Sequence, residues 1–269
     1  MEKMFNLLRM DLYRLKRSRS VYICFAILLV ISIICFWFVW MATTPGGLTF
    51  AAKIGIAETL RDDSFSAGDY DSLLMFREIA MDGGGYSVIL GILVALFVCL
   101  DFQSGFLKNI MSLHRYRWKY VISKVITAGI LSFLYLTLQY AFCILLNLLF
   151  GHLAPFTGFR DILFYLTNAW INTTAFSALI IMVCFFTRSI TAGVLTTFLL
   201  ASGIVQAVIY SFTGLFHLEG WQNYTLYYNL AFAPSSYAKM EDLRGIFVGL
   251  VFLILYSVIA AVSLSRQDI

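Results

Sequence analysis

Six long apolar runs, each free of Asp, Glu, Lys and Arg, are separated by more polar segments along the chain. They cover residues 21–44, 83–100, 125–151, 162–187, 189–218 and 245–265. A helix of roughly 20 residues crosses a hydrocarbon layer about 30 Å thick. A helix also satisfies its backbone hydrogen bonds internally, as a lipid environment requires. The pattern therefore predicts an all-α polytopic membrane protein with six transmembrane helices.

The second run is the weakest of the six, because it is short and opens on three glycines, "GGG". An 18-residue run barely reaches the length that a membrane span requires. We therefore expect this span to begin upstream of Gly83 or to continue past Asp101.

Amino-acid composition supports the same class of protein. The chain is 61% hydrophobic and 13% charged, whereas soluble domains are about 45–50% apolar and about 25% charged. A net charge of +4 is too small to suggest a nucleic-acid-binding protein. The cysteines all fall in apolar runs, which predicts free buried thiols rather than a disulfide framework; they are Cys24, Cys35, Cys99, Cys143 and Cys184.

Residues 1–20 form a segment with a helical pattern that precedes the first span. Placed on a helix, its apolar residues share one side and its basic residues share another. Such a helix is expected to lie in the cytoplasmic membrane interface; the alternative is a disordered basic tail that only fixes topology. The apolar side holds Met1, Met4, Phe5, Leu8, Leu12 and Leu15, and the other side holds Lys3, Arg14 and Arg17.

The distribution of basic residues predicts the orientation. If the N-terminus is cytoplasmic, thirteen of the nineteen Lys and Arg residues fall in cytoplasmic segments, as the positive-inside rule demands. Both termini are then inside. An acidic loop of about 45–82 and an aromatic segment of about 216–243 lie outside, and the aromatic segment is expected to contain one or two short helices at the outer leaflet.

Several classes of protein are disfavoured by what the sequence lacks. No Asp, Glu, Lys, Arg or His lies deep in a predicted span, which argues against an ion-coupled carrier. H-E-x-x-H and G-x-S-x-G are missing, so we expect no enzymatic activity. G-x-x-x-x-G-K-[ST] is also missing, so the energy for any uphill transport must come from another polypeptide.

The predicted spans contain a few neutral polar residues. Two roles are open: they hydrogen-bond across helices and stabilise the bundle, which we favour, or they form a translocation surface. The sixth span also begins with a G-x-x-x-G at 245–249, which allows close helix contact. The candidate translocation residues are Gln139, Asn147, Asn168, Asn172 and Gln206.

The segment 101–124, "DFQSGFLKNIMSLHRYRWKYVISK", lies between the second and third spans and is rich in basic residues. Between Gly105 and His114 its apolar and basic residues favour different sides of a short helix. Such a helix, held between two spans, could enter a groove of a cytoplasmic protein. The apolar side holds Phe106, Leu107, Ile110, Met111 and Leu113, and the basic side holds Lys108, Ser112 and Arg115.

The order acid–x3–Gly–x2–Lys-Asn–x2–Ser–x4–Arg–x5–Ser-Lys resembles the first cytoplasmic loop of ABC-2-type transporter permeases. It is most similar to the branch that exports, or gives immunity to, lantibiotics and other antimicrobial peptides. Phe106 stands where that family usually has Thr, and His114 stands where Gly is common. The matching residues are Asp101, Gly105, Lys108, Asn109, Ser112, Arg117, Ser123 and Lys124.

This resemblance implies a function. Residues 101–117 would be a coupling helix that docks on a separate ABC ATPase, and residues 21–269 would be the permease domain. Two permease chains, identical or paralogous, would pair with two ATPases. ATP and Mg would bind the ATPases, and this chain would carry no cofactor. The docking residues would be Asp101, Gly105, Phe106, Leu107, Lys108, Asn109, Ile110, Met111, Arg115 and Arg117.

The predicted protein is thus the permease subunit of an ATP-driven exporter in a cell membrane, with a bacterial source implied. Its substrate would be hydrophobic or amphipathic, such as an antimicrobial peptide. The alternative is a membrane sensor or assembly module that transports nothing and uses the same loop to hold a cytoplasmic partner.

Overall fold

The computed structural model describes residues 2–56, 71–107, 110, 117–216 and 220–266, and those residues contain helices and turns but no β-strand. In chain order the helices are α1 (Glu2–Arg17), α2 (Arg19–Thr43), α3 (Pro45–Lys53), α4 (Ser72–Phe76), α5 (Gly85–Gln103), α6 (Trp118–Leu149), α7 (Phe159–Thr187), α8 (Ile190–Ala201), α9 (Ile204–Leu215), α10 (Leu226–Ala231) and α11 (Arg244–Arg266).

Five helical stretches are long and apolar enough to cross a membrane, and one bent pair supplies a sixth span if it is counted as a unit. This confirms the all-α polytopic class. The continuous spans are Arg19–Thr43, Ser72–Gln103, Trp118–Leu149, Phe159–Thr187 and Met240–Arg266.

The second span has the extension that its short apolar run predicted. It starts at Ser72 and ends at Gln103, so it gains residues at both ends. A π-helical turn, Arg77–Met81, and a 3-10 turn, Asp82–Gly84, join α4 to α5. Gly83 and Gly84 adopt positive φ angles of 70° and 73°, which glycine tolerates because it has no Cβ.

The fifth span differs from the single helix that its apolar run suggested. α8 and α9 are separated by Ser202 and Gly203 and bend by 50°. Gly203 has a φ of 78°, so the helix stops at a residue that leaves the right-handed helical region at little cost. Both halves are 12 residues long, about 18 Å each.

The two helix breaks lie against each other. A Cβ added at Gly84 would lie 1.8 Å from the carbonyl oxygen of Ala201, the last residue of α8. The glycine therefore allows the backbone of the second span to touch the broken end of α8. The break in the second span and the break in the fifth span are thus in direct contact.

The predicted G-x-x-x-G contact exists. A Cβ at Gly245 would lie 2.7 Å from Asn168 Oδ1, and one at Gly249 would lie 2.9 Å from Asn172 Oδ1. These glycines bring α11 close to α7, as small residues do in membrane bundles. All five cysteines are free thiols, as their positions in the apolar runs predicted.

Candidate functional site: a buried ion cluster beside the predicted docking segment

The predicted docking segment starts next to a group of charged side chains that lie inside the protein. We call Asp11, Arg14, Asp101 and Lys124 the buried ion cluster. Asp11, Asp101 and Lys124 have no exposed surface, whereas the Arg14 side chain keeps 34%. They come from α1, the end of α5 and the start of α6. Residues far apart in sequence therefore meet at one end of the bundle.

Lys124 is the centre of the cluster. Its Nζ lies 2.8 Å from Asp11 Oδ1 and 2.7 Å from Asp101 Oδ2. Arg14 Nη2 lies 2.6 Å from Asp101 Oδ1. Two carboxylates thus face two cations, so the group is neutral overall, which is the condition under which buried charges are tolerated.

Two hydroxyl groups also donate hydrogen bonds to the carboxylates. Tyr120 Oη donates to Asp101 Oδ2 at 2.5 Å, and Ser123 Oγ donates to Asp11 Oδ2 at 2.9 Å. Both hydroxyls belong to the first turns of α6. Lys124 also belongs to the start of α6, so this part of α6 binds the carboxylates of both other helices.

Aromatic rings cover the cations. Lys124 Nζ lies 3.8 Å from the centroid of the Phe97 ring, and the Arg14 guanidinium carbon lies 4.4 Å from that of Phe106. Such cation–π contacts strengthen when water is excluded. The Phe106 contact joins α1 directly to the segment that follows α5.

The other end of the segment is also held. Arg117 Nη1 donates to the carbonyl oxygens of Leu264 and Ser265, at 3.2 and 3.5 Å. These carbonyls belong to the last turn of α11, where a helix has no partners of its own for them and where a cation is favoured. The segment is therefore tied to α1 at its start and to α11 at its end.

The residues assigned to docking fall into different environments. Asp101, Leu107 and Ile110 are 0%, 1% and 7% exposed, and the two apolar ones pack into a core that also contains Leu7 and Tyr120. In this conformation they hold the segment to the bundle and are not accessible to a partner. Their assignment as docking contacts stays a prediction, and in this conformation their burial gives them an anchoring position.

The remaining docking candidates divide as follows. Gly105 has a φ of 68°, and no atom of the described residues lies near its potential Cβ, so the chain turns there at a conformation that glycine tolerates. Phe106 is half-buried under Arg14. Four candidates lie outside the described residues: Lys108, Asn109, Met111 and Arg115.

Three of the candidate translocation residues form hydrogen bonds with other parts of the chain. Gln139 Nε2 donates to Ser32 Oγ, which joins α6 to α2. Asn147 exchanges two hydrogen bonds with the backbone of Ala154, at 2.8 and 3.0 Å, and so fixes the turn after α6. Asn172 Nδ2 donates to the Gly245 carbonyl at 3.1 Å.

Asn168 and Gln206 complete the set. Asn168 Oδ1 accepts from Asn172 Nδ2 at 2.8 Å, so the pair forms part of the contact between α7 and α11. These bonds correspond to the bundle-stabilising role. Gln206 is different, because it is half-buried on α9 and faces a cavity.

Sequence reasoning missed Asp11. It is an acid in a basic helix, four residues from Leu7 and from Leu15, and all three are buried. That i, i+4, i+8 spacing defines a helix face. An acid centred on such an apolar row is the signal that could have identified it, together with Lys124 at the start of the third span.

Comparison with known families agrees with this architecture. A family model described as "ABC-2 family transporter protein" matches residues 7–206 of the 269. No curated protein matches the chain. The matched range includes α1 from Leu7, the whole ion cluster and the spans as far as the start of α9.

The fold and this match define a multi-pass transmembrane component of an ABC transporter. The chain belongs to the ABC-2 transporter family. Members of this family are membrane components that generally act without a catalytic site of their own, and they associate with ABC ATPases.

Proposed function

We propose that this protein is the permease subunit of an ATP-driven exporter and that residues 101–117 dock on a cytoplasmic ABC ATPase. The observation that carries the proposal is the attachment of this segment. It connects to α1 and α6 through the buried ion cluster, to the core through Leu107 and Ile110, and to α11 through Arg117. A force applied there would reach several spans together.

The attachment suggests how ATP hydrolysis on the partner would act on the membrane bundle. A docking segment on a flexible loop would absorb movement of the ATPase. A segment held by a desolvated charge cluster resists displacement, because separating buried charge pairs costs several kcal/mol. Closure of two ATPases would therefore move the segment, α1 and the adjoining spans as a unit.

The docking surface follows from what is exposed. Gln103 and Ser104 lie at the surface directly after the buried Asp101. We place the contact on this surface and on the part of the segment outside the described residues, which includes Lys108, Met111 and Arg115. The buried Leu107 would support the contact from below.

Photo-crosslinking tests the proposal without disturbing the buried anchors. A photoreactive benzoylphenylalanine at Ser104 should form a covalent adduct with a polypeptide that contains a Walker A sequence. The same group at Ser236 is the matched control, since this exposed serine precedes α11 and lies at the opposite end of that span from Arg266. The adduct is identified by mass spectrometry of the crosslinked band.

Two results would contradict the docking assignment. One is an ATPase adduct of equal yield from Ser104 and Ser236. The other is efficient crosslinking from Ser104 to proteins that all lack a Walker A sequence, which would favour a membrane module that holds some other cytoplasmic partner.

The remaining features of the proposal each rest on a separate observation. A cytoplasmic location for both termini rests on the thirteen basic residues assigned to that side. Pairing with a second permease chain is supported by the apolar surfaces that α2 and α9 leave exposed. A cargo such as an antimicrobial peptide, moved outward across a bacterial membrane, rests on the resemblance of residues 101–124 to that branch of permeases.

A further inference from the structure

A partly open cavity of about 400 Å³ lies beside the break in the fifth span. Its walls come from α7, from both halves of the fifth span, from α11, and from the segment that contains the 3-10 turn Trp221–Tyr224 and α10. This volume falls within the range of typical small-molecule sites, roughly 300–1,000 Å³. One protomer therefore forms the cavity without help from another chain.

The cavity lies at membrane depth. Ala201 is about 17 Å along the axis of α8 from Ile190, past the middle of a hydrocarbon layer about 30 Å thick. Gln206 follows in α9. On α11, Phe252 and Tyr256 are about 12 and 18 Å from Arg244. The cavity thus extends from the end of the bundle remote from the buried ion cluster to about the middle of the spans.

Most of the lining is aromatic or aliphatic. Phe176 and Leu179 of α7 and Phe252 and Tyr256 of α11 line the cavity, and the last two rings are stacked at a centroid distance of 5.4 Å. None of the described lining residues is ionised. An apolar molecule gains from these walls, whereas a charged group would have no counter-charge there.

Polar side chains line part of the cavity, and of these the Thr225 hydroxyl bonds to the backbone of Gln222. In the part of the chain that the structure describes, Gln206 and the hydroxyls of Tyr227 and Tyr256 have no hydrogen-bond partner. The amide nitrogens of Gln139, Asn147 and Asn172, by contrast, all donate hydrogen bonds, although Gln139 Oε1 and Asn172 Oδ1 have no partner among the described residues. An amide without a partner in hydrocarbon is unfavourable, and lipid acyl chains at that depth have no group to offer it.

The break in the fifth span gives Tyr227 its position. A Cβ at Gly203 would lie 2.6 Å from Tyr227 Oη, so only glycine lets this hydroxyl approach the helix end. The interruption that bends the span therefore also brings a second polar group to the cavity that Gln206 faces.

We propose that this cavity binds one amphipathic molecule with an apolar body and a neutral hydrogen-bonding group. The body lies between the aromatic walls of α7 and α11, and an amide or hydroxyl of the ligand bonds with the Gln206 amide. This inference goes beyond transport driven by an ATPase, because binding needs neither ATP nor a partner and is measured on the permease alone.

The test follows Trp221, which lines the cavity, by fluorine NMR of the permease in nanodiscs. All five tryptophans are replaced biosynthetically with 5-fluorotryptophan, and Trp221→Phe assigns the resonance of interest. The probes are N-octylbenzamide, which carries an amide between a ring and a chain, and octylbenzene, which has the same apolar parts without the amide. We expect saturable shifts of the Trp221 signal and binding of the amide about 10-fold tighter than of the hydrocarbon.

Substitution at Gln206 decides whether the amide is recognised there. Gln206→Leu and Gln206→Met should each bind both probes with similar affinity, because the hydrogen bond is gone and the apolar walls remain. Thr187→Val, at an exposed residue that ends α7, should keep the wild-type preference. Unchanged resonances of the other four tryptophans report that each variant is folded.

Three outcomes would overturn the inference. The Trp221 signal fails to shift saturably with N-octylbenzamide; the wild-type protein binds both probes equally, as a crevice that any lipid chain fills would do; or a folded Gln206 variant keeps the tenfold preference for the amide. A failure of the ATPase crosslink at Ser104 leaves this result unaffected, so the two proposals fail separately.

Discussion

Lys124 neutralises two carboxylates that would otherwise face each other without solvent. Because Asp11 and Asp101 are both fully buried, removal of the lysine leaves uncompensated negative charge in the interior. Breaking a buried pair from one side costs roughly 3–5 kcal/mol, far more than loss of an exposed ion pair. The cost of removing a lysine therefore depends on whether its charge is buried or exposed.

We accordingly expect Lys124→Met to lower thermal stability in detergent strongly, with a loss of about 3 kcal/mol or more. Lys16→Met is the matched control, since Lys16 is exposed on α1, and its effect should stay within about 0.5 kcal/mol. Thermal unfolding followed by tryptophan fluorescence measures both variants. Equal melting temperatures for the two would show that the cluster is solvated rather than buried.

Gly83 and Gly84 offer a second matched pair. Both have positive φ angles, 70° and 73°, so alanine at either site brings backbone strain of about 1 kcal/mol or more. Only at Gly84 does the new Cβ also meet an atom, the Ala201 carbonyl oxygen at 1.8 Å. That distance requires the second and fifth spans to separate.

The expected order is therefore a modest effect for Gly83→Ala and a severe one for Gly84→Ala. The amount of folded protein extracted from membranes, measured by fluorescence-detected size exclusion, should be near that of wild type for the first variant and greatly reduced for the second. A similar loss for both would mean that strain alone explains the glycines and that the contact between the breaks is unimportant.

At the scale of helices, α1 presents two different faces. Leu7, Asp11 and Leu15 are buried against the bundle, while Phe5 keeps 67% of its surface exposed, and Leu8 and Leu12 are half-buried. The predicted apolar stripe thus divides: Leu15 packs on protein, and Phe5 is available to lipid. The helix is attached to the permease as well as suited to the membrane surface.

Leu7→Ser and Phe5→Ser separate these roles. Serine at the buried position should cost about 2–5 kcal/mol through lost packing, and so reduce assembled protein in the membrane. Serine at the exposed position should leave thermal stability nearly unchanged, because no packed contact is lost. Thermal stability of each purified variant is the measurement, and a greater loss from Phe5→Ser would reverse our assignment of the faces.

How far the sequence predicts these elements depends on the range of the interactions. Charge-free runs located the spans, because the cost of unpaired backbone groups in lipid is local to each segment. The bend at Gly203 was not predicted, since "ASGIV" lies inside an unbroken apolar run and the break is stabilised by distant partners such as Tyr227. Asp11 was missed for the same reason: its partner, Lys124, is more than a hundred residues away.

The docking segment shows the same limit. Its apolar residues were recognised from their spacing, but spacing alone does not say whether that side faces a partner or the protein's own core. Leu107 and Ile110 are buried within this chain, so the segment is held more firmly than an amphipathic helix on a loop would be. Periodicity identified the apolar side of the segment, but only the tertiary contacts show that Leu107 and Ile110 pack against the core of this chain.

At the scale of the whole molecule, the features of interest separate toward two ends. The buried ion cluster and the docking segment lie where α1, the start of α6 and the end of α11 meet. The cavity and the breaks of the second and fifth spans lie toward the other end. Under the proposed function, movement of an ATPase would enter at the first end and would reach the cavity through α7, α8 and α11, which contribute to its walls.

Orientation is thus the premise on which the whole arrangement depends, and it has a direct test. Ser104 is exposed after α5, and Ser236 is exposed before α11, so both accept a cysteine by an isosteric change at opposite ends of the bundle. The five native thiols lie in the spans, half-buried or buried, which limits background labelling. In intact cells an impermeant maleimide should label Ser236→Cys and leave Ser104→Cys unmodified, whereas after permeabilisation it should label both. Labelling of Ser104→Cys alone in intact cells would invert the topology and place the docking segment outside, where no ATP-driven partner could reach it.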